Sequence, residues 1–206
     1  MPLKWQVNLV ILGAVITAII ANFITLSNPI IDNYELAERL FAVNGYIAIS
    51  FATIMTPLFR LGGSMTAGSN TKSRSLKRLH YMLAALGLAC ATAHPIAVAI
   101  RDLTPQVFLP NFNSWAFFWA NAGRPALLVL YIAFFAALLN GNIKKYWRHI
   151  HALMYLVLFL VIIHANLLGT DFKDPAMSLL FDLLFVASIS AFLVRRIQSQ
   201  HKTTIQ

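Results

Sequence analysis

HYMLAALGLACATAH, residues 80–94, carries an imidazole at each end of an otherwise apolar and small-residue run. Fourteen residues of α-helix rise about 21 Å and turn to about 40° short of four full turns, so His80 and His94 share one helix face. A polar ring in hydrocarbon is costly unless it has a partner, and such a ring marks function by default. Midway between the two stands Gly87, on the same face. Around it Ala84, Ala85, Ala89, Ala91 and Ala93 form a low surface against which a flat macrocycle or a neighbouring helix can lie.

The rest of the chain places this stretch in a membrane. Of 206 residues, 59% are hydrophobic and 11% charged, against about a quarter charged in an ordinary soluble domain. Mean hydropathy is +0.70. The formal charge of +9 would suit nucleic acid only if the cations formed a patch on a wet face. They lie instead in short gaps between apolar runs, so no nucleic-acid partner is expected. The single cysteine, Cys90, rules out an internal disulfide, and no Cys-x-x-Cys-His is present for covalent haem.

Six apolar runs are long enough to approach or cross about 30 Å of hydrocarbon: residues 5–26, 40–59, 76–100, 125–140, 150–168 and 176–194. The expected fold is an all-α membrane protein, a six-helix bundle forming one integral membrane domain over residues 1–206. The first run is too long for a signal-peptide core and is kept as a span. With the amino terminus in the cytoplasm, twelve of sixteen cations fall inside, and Arg39, Arg101, Arg124 and Lys173 fall outside. The positive-inside rule therefore predicts cytoplasmic termini. No glycine-rich phosphate loop or soluble flavin fold is encoded. Between spans three and four, Trp115, Phe117, Phe118 and Trp119 suit an interfacial aromatic belt.

Span five brings a second pair, His151 and His164. Spans three and five run in the same direction, so His80 and His151 form one layer and His94 and His164 another. Two facing imidazoles without thiolates or clustered carboxylates suit haem iron with two axial histidines. Zinc would need three or four ligands close together. Thirteen residues leave His151 and His164 about 140° out of register on an ideal helix, so span five is distorted or is approached from two sides. His149, about 60° out of phase with His164, is an alternative to His151. Pro95, next to His94, is expected to bend or end span three.

The spacing His80-x13-His94 with His151-x12-His164 resembles the ferric reductase-like transmembrane domain family. That family includes ferric reductases, NADPH oxidases and the haem-binding membrane subunit of bacterial periplasmic methionine sulfoxide reductase systems. The TPLFR of residues 56–60, the Arg124-Pro125 opening of span four and the WRHIHALMYL of residues 147–156 are similar to the last branch. The likeness covers spans two to five. His80 departs from that branch and is more like the two-haem members.

The resemblance implies His151, four residues before Tyr155, as the ligand in place of His149. It implies two b-type haems, with His80, His94, His151 and His164 as axial ligands. Electrons would pass from a cytoplasmic flavin or flavoprotein reductase to a periplasmic redox partner or ferric iron, across a bacterial inner membrane. FMN or FAD at the cytoplasmic side is a further candidate cofactor. Arg78 and Arg124 are candidate propionate contacts, and Arg101 could pair with a propionate or with Asp102. Lys144, Lys145 and Arg148 form a basic rim for docking the donor, which topology and anionic lipid would equally explain. Two other functions stay open: a quinol-oxidising cytochrome b, and a non-redox transporter whose histidines bind a metal or a proton.

Overall fold

The computed structural model describes residues 3–57, 70–110, 112–143 and 145–203. Lys144 and residues 58–60 lie outside these, as do the side chains of Lys4, Lys72, Arg74 and Lys202. Among the described residues the chain is helical, without a strand. The helices are α1 (Leu3–Ser27), α2 (Asn33–Ile54), α3 (Asn70–Arg101), α4 (Trp115–Ala120), α5 (Gly123–Leu138), α6 (Trp147–His151), α7 (Met154–Leu168) and α8 (Pro175–Thr203).

Their ends follow from local chemistry. Asp32 caps α2 by accepting from Glu35 N at 2.8 Å, and the Glu35 carboxylate in turn accepts from Ile31 N at 2.8 Å. Ser114 caps α4 through Phe117 N. Asp174 accepts from Ala176 N at 2.8 Å, just ahead of Pro175 at the first position of α8. Pro95 does not end α3, which continues to Arg101.

Among the described residues four segments are long and apolar enough to cross a membrane: Trp5–Ser27, Ser75–Arg101, Trp147–Leu168 and Pro175–Ile197. The α5 helix is apolar but only 16 residues long. Charges in the first two turns of α2, Glu35, Glu38 and Arg39, together with Asn44, make it more polar than the others. Large apolar side chains face outward on the long helices, among them Trp5, Phe23, Tyr81, Met82, Leu179 and Leu183. Such a surface is at home in lipid and would aggregate in water.

Because α2 packs against α1, α3, α7 and α8, it is buried on nearly all sides from Gly45 to Ser50. Asn22 of α1 and Asn44 of α2 exchange amide hydrogen bonds at 3.1 and 2.9 Å, which satisfies two polar groups in an apolar interface. Tyr46 stacks on Phe181 of α8, with ring centres 4.7 Å apart. Against α3 the approach is closest. A Cβ on Gly87 would lie 2.5 Å from Ile49 Cγ1 and 3.2 Å from Ile49 N, and one on Gly45 would lie 3.2 Å from Ala91 N. Gly87 therefore serves helix packing rather than separation of the two histidine layers, the other role its spacing allowed.

Span five is not one regular helix. Between α6 and α7, Leu153 N bonds Ile150 O at 3.0 Å and Tyr155 N bonds Ala152 O at 3.1 Å, both over three residues. A turn tightened in this way advances about 120° per residue instead of about 100°. It lies between His151 and His164 and takes up part of their rotational mismatch.

Candidate functional site

The four histidines share one hydrogen-bond pattern. His80 Nδ1 lies 3.0 Å from Ala52 O, His94 Nδ1 2.9 Å from Glu38 O, His151 Nδ1 3.1 Å from Ala133 O, and His164 Nδ1 2.6 Å from Ala120 O. A carbonyl oxygen can only accept, so each Nδ1 carries a hydrogen and Nε2 is the ring nitrogen left for another partner. Metal-ligating histidines are typically held this way, with the second nitrogen donating to a carbonyl or carboxylate. Two of the carbonyls belong to α2, one to α5 and one to α4. Neighbouring helices thus orient the rings that α3, α6 and α7 carry.

The rings meet in two cavities. The lower one, about 370 Å³, is lined by His80 and His151. Their ring centres are 6.4 Å apart and the planes cross at 80°. One metal ion bonded at about 2 Å to a nitrogen of each ring, an ordinary metal–histidine length, needs centres about 6–6.5 Å apart. Among the described residues no group of three or more His, Cys, Asp or Glu is placed to hold a metal. Two imidazoles alone fall short of the three or four protein ligands that a zinc site uses.

The upper cavity, about 430 Å³, is lined by His94 and His164. Ile49 and Leu130 border both cavities and form an apolar partition between them. Gly123, at the start of α5, makes room for the His164 ring: a Cβ there would lie 2.8 Å from Cδ2 and 3.0 Å from Nε2. Trp119, at the end of α4, packs edge-on to Phe159 of α7, so the aromatic segment is joined to the helix that bears His164.

Polar groups crowd the upper cavity and most are paired, although Glu38 Oε2 is buried without a hydrogen-bond partner. Arg39 pairs with Asp171 and lies 3.4 Å from Glu35, while Thr25 and Asn28 donate to Asp171 at 3.1 and 3.0 Å. The Asp171 hydrogen bond raises the Arg39 guanidinium above its ordinary value. Arg101 holds both Glu38, at 2.5 Å, and Asp102, at 2.9 Å. Burial raises the Glu38 carboxyl above its ordinary value, and the Arg101 charge opposes that rise. Of the two partners open to Arg101, then, Asp102 is engaged, with Glu38 added. Arg124 lines the upper cavity and donates to the carbonyls of Gln106 and Leu109 at 3.1 Å each.

The remaining expected residues sit at the lower end. Arg78 is exposed on α3 and does not line the lower cavity. Lys145 is exposed beside the Tyr146 ring, and Arg148 lies over Trp147 and lines the cavity. His149 is exposed at the same mouth. Arg195 and Arg196 of α8, which the sequence presents only as cations after a span, also line it. Gly123 is likewise missed by residue-type reasoning, although a glycine just before Arg124-Pro125 is its signal. Comparison of the chain with protein-family models, with curated proteins and with solved structures gives no match.

Proposed function

We propose that the chain is a b-type haem protein of the ferric reductase-like kind, carrying electrons across a bacterial inner membrane. On this reading α2 and α5 complete a six-span bundle with both termini in the cytoplasm, and the lower cavity faces inward. A separate cytoplasmic flavin reductase or flavoprotein is the donor. The outer acceptor is a methionine sulfoxide reductase partner or ferric iron. The observation that carries the reading is the set of four Nδ1–H···O=C bonds, which leave Nε2 as the remaining nitrogen of two histidines at each cavity.

Bound haem supplies a one-electron iron couple at each level. His80 with His151, and His94 with His164, would hold it. The carbonyls of Ala52, Glu38, Ala133 and Ala120 fix each imidazole in the tautomer and orientation needed for ligation. Ile49 and Leu130 keep the space between the layers dry. Arg124 can meet an anionic group at the upper level without leaving its own carbonyl partners.

The test is vectorial electron transfer in proteoliposomes. A ferric chelate is sealed inside, and reduced flavin is added outside. Lumenal iron is expected to be reduced in wild-type vesicles, with His80→Ala and His94→Ala each slowing this by at least about a hundredfold, as loss of a redox centre should. Equal rates in all three, with the chain folded and inserted, would refute the conduit.

A further inference from the structure

The two cavities differ in charge balance. The upper one is lined by Arg39, Arg101 and Arg124 and by as many carboxylates, Glu38, Asp102 and Asp171, with Arg39 paired to Asp171 and Arg101 to Glu38 and Asp102. The lower one is lined by three arginines, Arg148, Arg195 and Arg196, and among the described residues no carboxylate lines it.

Arg195 stands apart from the other two. Arg148 and Arg196 are exposed, which is where long cationic side chains near a span end normally extend. Arg195 is half-buried and borders the same cavity as His80, His151 and Tyr155. It has neither an ion-pair partner nor a hydrogen-bond partner among the described residues. A guanidinium partly withdrawn from water at a span end is costly without a counter-anion.

We infer that Arg195, assisted by Arg148 and Arg196, is the anion anchor of the lower cavity and binds the carboxylates of the macrocycle held by His80 and His151. The inference rests on the haem reading above and adds to it a residue on the last helix. A planar guanidinium presents paired N–H groups that match a carboxylate, and its charge would favour the reduced form of a nearby iron. The same chemistry would accept a phosphate, and the experiment separates the two sources.

The full-length protein is purified with its haem as wild type, Arg195→Gln, Arg195→Lys and Lys173→Gln. Haem transfer to apomyoglobin and the two midpoint potentials are then measured. Loss of one charge-assisted contact should make the lower haem leave about tenfold faster in Arg195→Gln. Its potential should shift downward while the upper haem stays put. Arg195→Lys should recover most of the potential, and Lys173→Gln should match wild type. Unchanged haem release and potential in Arg195→Gln would overturn the anchor. So would saturable binding of inorganic phosphate to the haem-loaded wild type, lost in Arg195→Gln with haem retention intact, because the anion would then be phosphate. A folded wild type without haem would refute the reading beneath and this assignment with it.

Discussion

Four imidazoles, each with Nδ1 on a carbonyl, concentrate the chemistry of this protein in a few atoms. His151 lies 6.4 Å from His80, ring centre to ring centre, and bonds Ala133 O, whereas His149 is exposed at the cavity mouth. Replacing His151 by Ala should remove the lower haem absorbance, and replacing His149 by Ala should leave the reduced spectrum unchanged; dithionite difference spectra decide. Gly123→Ala would push a methyl group to 2.8 Å from the His164 ring. Overpacking of this kind costs about 1–3 kcal/mol, so the upper haem alone should bind about tenfold or more weakly, seen as substoichiometric haem with the lower signal intact. The pairing of spans three and five was legible in the histidine spacing. The role of Gly123 was not, because a bare α-carbon is informative only once the ring lying across it is known.

At the scale of elements, α2 supports both layers. It gives Ala52 O to His80 and Glu38 O to His94, and it packs on α3 through Gly45 and Gly87. From sequence, Gly87 could equally be a haem spacer or a helix-packing glycine, since both need a bare surface. Only the position of Ile49 separates them. The break between α6 and α7 was foreshadowed by arithmetic, since thirteen residues cannot align two rings on a regular helix. The buried Arg39–Asp171 pair joins α2 to the turn between α7 and α8, and it was illegible because 132 residues separate its members. Asp171→Ala would remove the closer carboxylate of the buried Arg39 and leave it only Glu35 at 3.4 Å, a loss of up to about 3–5 kcal/mol. Thermal unfolding in detergent should show a large drop in midpoint for Asp171→Ala and a smaller one for the double variant Arg39→Met with Asp171→Ala.

The whole molecule is an apolar bundle whose polar chemistry is drawn into two cavities, one above the other. Composition and hydropathy made the membrane setting legible before any geometry. Of the six runs marked in the sequence, those of α2 and α5 fall outside the four long apolar segments, one for its acidic first turns and one for its 16 residues. If both cross the bilayer, a reporter fused after Thr203 and one inserted near residue 142 should both report the cytoplasm, and one inserted near residue 112 should report the outside. A reversed or mixed pattern would remove the inward orientation of the lower cavity. The most direct measurement is the haem-to-chain ratio by pyridine haemochrome on purified wild type and on single His80→Ala and His94→Ala variants. Two b-type haems per wild-type chain and one in each variant is the expected result. A folded wild-type chain with no haem, or variants that keep the full wild-type complement, would contradict it.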